Sequence, residues 1–167
     1  MQCCKTVRAA EPSDLDEVFR IEVESFDKPY PRWYLDLLYG LSGGEYFLVS
    51  ESADGRITGY IVGIPLSDNA CHIASIAVVK ECRRRKVGTV LLQSLMELCS
   101  SNGYSSFVLE VDTCNYSAQS LYISNMFRPI MFMPNYYSWG RHALMMALIG
   151  GQPCCFQPST KGVQSVT

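Results

Sequence analysis

The stretch SIAVVKECRRRKVGTVLL, Ser75 to Leu92, constrains the chain most. It reads as a strand, a basic turn and the start of a helix. Four consecutive cations, Arg83 to Lys86, sit immediately before the helix N-terminus. The first backbone N–H groups of a helix have no intrahelical acceptor, and that end carries about half a positive charge. Such a junction is a ready seat for a diphosphate. Gly88 in the first turn lets an anion approach where a side chain would collide. A solvated basic turn is the bland alternative, and the strand-to-helix setting favours the binding one.

The flanking segments supply the rest of a sheet. Thr6 to Ala9 is an extended lead-in, and Pro12, Ser13 and Asp16 mark a helix start in the manner of a capping box. Leu15, Val18, Phe19 and Ile21 follow at helical spacing. FDKPYP, Phe26 to Pro31, breaks that helix, and Pro31 opens a second one carrying Trp33, Tyr34, Leu37 and Leu38. Ser42-Gly43-Gly44 ends it. Tyr46–Glu51, Ile57–Leu66 and Ala70–Val79 read as an antiparallel meander, with a hairpin turn at Ala53-Asp54-Gly55.

A helix from Val87 to Ser101 follows, with Val87, Leu91, Leu95 and Leu98 on one face. Then come a strand at Ser106–Val111, a short helix at Ser117–Asn125 capped by Asn115 or Ser117, and strands at Arg128–Met133 and Ala143–Ile149. The order is β-α-α-β-β-β-α-β-α-β-β. The crossover from Ala70 to Val111 makes its two strands parallel. The expected fold is α/β, a single mixed central sheet of about seven strands with flanking helices. Residues 1–150 form the domain. Residues 151–167, with Pro, Gly, Ser and Gln but no periodicity, form a C-terminal tail.

Composition narrows the function. The 167 residues are 48% hydrophobic and 18% charged, enough for one packed core and too few for two full-sized domains. A net charge of −2 argues against a general grip on nucleic acid. No apolar run reaches the roughly 18–20 residues of a membrane span, and the N-terminus lacks a secretory hydrophobic stretch. Eight cysteines without a C-x-x-C, and two histidines without a metal-motif neighbour, give no metal site. They read as reduced thiols in a reducing, cytoplasmic compartment.

Two motifs together resemble the GCN5-related N-acetyltransferases. Arg83-Arg84-Arg85-Lys86-Val87-Gly88 is similar to that family's R/Q-x-x-G-x-G/A loop, with Lys86 in place of the first glycine. LEVDTCNYSAQSLYISNMF, Leu109 to Phe127, is similar to its L-x-V-x-x-x-N-x-x-A-x-x-L-Y-x-x-x-G-F segment, with Met126 in place of the glycine. Within the family, protein N-terminal acetyltransferases of the archaeal catalytic-subunit and RimI types look most alike. SFDKPYP (Ser25–Pro31), HIASIAV (His72–Val78) and NYYSWGRHALMMAL (Asn135–Leu148) carry that likeness, although Arg141-His142 replaces the usual acidic residue before the alanine.

The resemblance implies acetyl transfer from acetyl-CoA, as co-substrate and without a metal, to the free α-amine of a protein or peptide. It places Arg83, Arg84, Arg85, Lys86, Val87, Gly88 and Thr89 at the diphosphate. Ile76, Ala77, Val78 and Asn115 fall along the pantetheine arm, with a backbone N–H near Val78 polarising the thioester. Tyr122 falls at the sulfur, and His72 and Glu110 take the amine proton. Phe26, Tyr30, Tyr136 and Tyr137 line the acceptor side.

The residues themselves leave alternatives. His72 also reads as a half-buried strand histidine, Glu110 as a solvent-facing carboxylate and Tyr122 as a packing aromatic. An acetyltransferase for a small amine, or a non-catalytic acetyl-CoA-binding subunit, stays open, as does an auxiliary or ribosome-linked partner. The tyrosine pair and the FDKPYP loop favour a peptide acceptor.

Overall fold

A computed structural model describes residues 3–66 and 69–150. The expected tail, 151–167, lies outside the described residues. Seven strands, β1 (Thr6–Ala9), β2 (Phe47–Glu51), β3 (Ile57–Pro65), β4 (Ala70–Val78), β5 (Ser106–Asp112), β6 (Arg128–Met133) and β7 (Ala143–Leu148), form one sheet. Its order is β1-β2-β3-β4-β5-β7-β6. Only β4 and β5 run parallel; the other neighbours are antiparallel. Four helices, α1 (Leu15–Ser25), α2 (Arg32–Leu41), α3 (Val87–Ser101) and α4 (Tyr116–Ser124), cover the two faces.

Each face has its own core. On one, Leu15, Val18 and Ile21 of α1 and Leu35 and Leu38 of α2 pack on Phe47, Val49, Tyr60 and Val62. On the other, Leu91, Leu92, Leu95, Met96 and Cys99 of α3 meet Ile61, Cys71, Ile73, Phe107 and Leu109. A fully buried leucine side chain contributes about 2 kcal/mol of transfer free energy, so α3 is firmly seated. Gly59 lets it come close: a Cβ there would lie 2.8 Å from the Ala77 carbonyl oxygen and 3.1 Å from Leu91. The start of α3 is thereby held beside the end of β4.

The structure corrects two expectations. The cysteines are not all thiols. Cys3 and Cys82 form a disulfide across 79 residues of sequence, and both are buried. Adjacent Cys3 and Cys4 and isolated Cys82 gave no spacing pattern, because the pairing is made by the fold, which lays the N-terminal segment against the turn before Arg83. The thiol argument for a reducing compartment falls with it. The helix start also differs. Ser13 and Asp16 do not make the capping box; Glu11 and Asp14 do, around a short 3-10 turn at Pro12–Asp14. Asp14 accepts the Glu11 N–H at 2.8 Å and is held by Arg8 from β1 at 2.6 Å. Among the described residues no helix is long and apolar enough to cross a membrane.

Candidate active site

The site begins where two strands part. β4 and β5 pair through three residue pairs, Ala70–Ser106, Cys71–Phe107 and His72–Val108. Beyond them β4 stays with β3 and β5 stays with β7, so a wedge opens through the sheet. The Val79 N–H donates to the Thr58 carbonyl at 2.9 Å, toward β3. Backbone groups alternate along a strand. The N–H groups of Ile76 and Val78 therefore face the side that β5 has left.

Along the wedge runs a cleft of about 570 Å³. Ile76, Ala77 and Val78 form one wall, Arg83, Arg84, Lys86, Val87, Gly88 and Thr89 close one end, and Asn115 and Phe26 also border it. Two residues expected there are not in the lining, Arg85 and Tyr122. Tyr122 is buried, with its ring 5.7 Å from Phe127 in the α3-side core. Burial, and secondarily the Tyr137 hydroxyl, hold its phenol above the ordinary tyrosine range, so it stays protonated.

The basic turn keeps the geometry that glycine would give. Arg84 and Lys86 both adopt positive φ, 62° and 64°. Lys86, the residue at the family's first glycine, is the N-cap of α3 in left-handed conformation. A non-glycine residue there costs about 1–2 kcal/mol. Met126, at the other lost glycine, is likewise left-handed, with φ 72°. Both departures thus change the side chain and retain the backbone path. The first α3 bond is from the Val90 N–H to the Lys86 carbonyl at 3.0 Å, and no side chain caps the end. The N–H groups of Val87, Gly88 and Thr89 are left to face the cleft. A Cβ on Gly88 would meet Leu121 at 3.5 Å and Val78 at 3.8 Å, ordinary contacts. The protein's own packing does not demand glycine there, which leaves the space for a ligand. Donors, charge and space all suit a diphosphate.

At the apex of the wedge, His72 Nε2 lies 2.7 Å from Glu110 Oε2. One side chain comes from each parting strand, and both are largely buried. The residues flanking Glu110, Leu109 and Val111, point into the core as the alternation expects. Tyr136, on the β6–β7 loop, faces the Glu110 carboxylate; burial first and that carboxylate second raise its phenol. Tyr137, pushed up to about 12 by burial and then by Asp112, stacks on Trp139 at 4.8 Å. From the α1–α2 loop, Tyr30 packs at 4.6 Å on Tyr34 and lies in the field of Tyr136 and Tyr137. Burial chiefly raises its phenol too. The loops expected to line the acceptor side do converge, and Tyr34 joins them.

The contacts that brace these loops were not legible in the sequence, nor were Asp112 and Glu22 as their partners. Arg141 pairs with Asp112 at 2.8 Å, and His142 Nδ1 accepts the Asn135 N–H at 2.9 Å. That pair anchors the β6–β7 loop in place of the family's acidic residue. Arg83 donates to the Val78 carbonyl at 2.9 Å and to Ser25 at 3.2 Å. Glu22, buried in α1, accepts the Tyr30 N–H. One signal was available: Glu22 is a charge seven residues after Leu15, on the apolar face of its helix.

Comparison with known proteins agrees with this architecture. Residues 15–125 match the Acetyltransferase (GNAT) family. The chain is 38% identical over 141 residues to an uncharacterized N-acetyltransferase of Methanocaldococcus jannaschii, covering 84% of this chain and 88% of that one. It is 33% identical over 153 residues to an N-alpha-acetyltransferase of Sulfolobus acidocaldarius, covering 84% and 90%. The solved structure of Ard1 from Thermoplasma volcanium superposes with a TM-score of 0.83 at 32% identity, covering 88% of this chain and 98% of that one. The protein belongs to the GNAT family of acetyltransferases.

Proposed function

We propose that the protein transfers an acetyl group from acetyl-CoA to the free α-amine of protein or peptide N-termini. One observation carries this: the His72–Glu110 pair stands where β4 and β5 part, with Tyr136 of the converging tyrosine loops facing its carboxylate. The relative described as an N-alpha-acetyltransferase supports the choice of acceptor.

The chemistry follows from the placement. The amides opening α3 and the cations of the turn hold the diphosphate, and the arm enters between β4 and β5. An α-amine has a pKa of about 8, against about 10.4 for lysine, so modest help deprotonates it. The His72–Glu110 pair, 2.7 Å apart, takes that proton. The free amine attacks the thioester carbonyl. The Val78 N–H donates to the oxygen as it gains charge, a contribution of about 3 kcal/mol for donors of this kind. The C–N bond forms and the C–S bond breaks. As the C–N bond forms the nitrogen gives up its second proton, which leaves on the thiolate; Tyr122, which the resemblance puts at the sulfur, is buried in the α3-side core outside the cleft lining. Phe26, Tyr30, Tyr136 and Tyr137 hold the acceptor backbone.

The test is a comparison of short peptides with free and blocked N-termini. The free forms are acetylated, and the blocked, lysine-containing forms are not. Equal rates on both would reject an α-amine acceptor. Acetylation of polyamines in preference to peptides would transfer the reading to small amines.

A further inference from the structure

Glu22 is a buried carboxylate that the mechanism above does not use. Its residue is 1% exposed. It sits where α1's packing face asks for a hydrophobe, in line with Leu15 and Val18. A carboxylate taken out of water is costly unless hydrogen bonds meet it. Here two do. The Tyr30 backbone N–H donates to one oxygen at 2.9 Å, and the Tyr60 hydroxyl donates to the other. Tyr60, on β3, is itself fully buried, and its hydroxyl lies 2.9 Å from Ser75 Oγ on β4. Ser75 is three residues beyond His72 on the same strand. A continuous row of polar groups thus runs from the β4 wall, through Tyr60 and Glu22, to the loop that carries Tyr30.

We propose that Glu22 is a positioning residue for the acceptor peptide, a carboxylate latch that fixes the α1–α2 loop against β3 and β4 and thereby sets Tyr30 beside Tyr34, Tyr136 and Tyr137. The proposal rests on the peptide-acceptor reading above. The latch grips a backbone N–H, so it fixes the loop's path whatever side chain stands at position 30. The loop's first end is tied separately, through Ser25 to Arg83 of the basic turn. Without Glu22 the segment between Ser25 and Arg32 would keep that tie and lose its central one. Tyr30 would then move relative to Tyr34, Tyr136 and Tyr137, whereas the donor cleft would be untouched.

The experiment compares Glu22→Leu, Glu22→Gln and Tyr60→Phe in the full chain, with coenzyme A affinity confirming the fold. In Glu22→Leu the peptide KM rises roughly tenfold, kcat stays within about threefold, and coenzyme A affinity is unchanged. Amide hydrogen exchange of residues 26–31 accelerates. Glu22→Gln restores both readouts, since its amide oxygen accepts from Tyr30 and its NH2 donates to Tyr60. Tyr60→Phe shows the same changes at smaller size. An unchanged peptide KM and unchanged exchange in Glu22→Leu overturn the proposal. So does a parallel fall of kcat and coenzyme A affinity in Glu22→Leu that Glu22→Gln does not rescue. If Glu22→Leu fails to fold, Tyr60→Phe decides by the same readouts. Hydrogen exchange needs no turnover, so it judges the latch even if the wild-type protein ignores α-amine peptides, an outcome that would reject only the acceptor.

Discussion

The donor side and the acceptor side of this cleft are built on different principles. The proposed donor side is made chiefly of backbone: the amides opening α3, the N–H groups of β4 and a left-handed turn, with the turn's cations around them. It tolerates Lys86 where the family has glycine, because the path of the chain is kept at a φ of 64°. The proposed acceptor side is made of side chains: His72, Glu110, Tyr30, Tyr34, Tyr136 and Tyr137, from two strands, a helix and two loops. In the proposed reaction each group there has its own role, which replacement would remove. A backbone site is lost through shape, a side-chain site through chemistry.

That contrast can be broken in order of effect. Replacing Glu110 by Gln, or His72 by Ala, is expected to lower kcat by about 10²–10³ with coenzyme A affinity retained. Steady-state kinetics beside calorimetry checks it, and a matching loss of affinity would erase the distinction between the two sides. Reducing the Cys3–Cys82 disulfide, which closes a loop of 79 residues, should lower unfolding free energy by about 4 kcal/mol. Urea unfolding with and without a dithiol measures this; an unchanged midpoint would deny the cross-link its stabilising role.

Gly88→Val tests shape on the donor side. It should weaken coenzyme A binding roughly 30-fold, about 2 kcal/mol, with thermal stability nearly kept. Unaltered affinity would mean the amides of α3 do not face the ligand. The smallest effect lies away from both sides. Arg8 holds the Asp14 carboxyl below its usual range, chiefly through their hydrogen bond. Such a group stabilises the fold above its unfolded pKa and loses that contribution as pH falls through the folded one. Asp14→Asn should cost about 1 kcal/mol near pH 7, modest because Arg8 is partly exposed. The gap to wild type should begin to narrow near pH 4 and close only as pH falls through the lowered folded value. A gap that persists in acid would assign the loss to packing.

The sequence made the donor side readable and left much of the acceptor side hidden. The α3 helix, Val87–Ser101, and strand β6, Arg128–Met133, match their sequence-based bounds, since long apolar periodicity and local breakers define them. The basic turn was visible because its charges and glycine are contiguous. The His72–Glu110 contact was expected only as two residues on flanking strands; its 2.7 Å separation comes from where β4 and β5 stop pairing, which no local pattern encodes. Glu22 and Tyr60 lie 38 residues apart and meet through tertiary packing. The disulfide is hidden for the same reason: no spacing rule joins Cys3 to Cys82.

The wedge between β4 and β5 has one more consequence. A sheet ordinarily exposes unpaired edges only at its outer rims; this one carries two in its middle. Whatever lies between them serves as architecture as well as reagent. The protein's resistance to heat should therefore climb with the supply of its own acetyl donor, by the mass-action rule for any molecule that binds the native state alone.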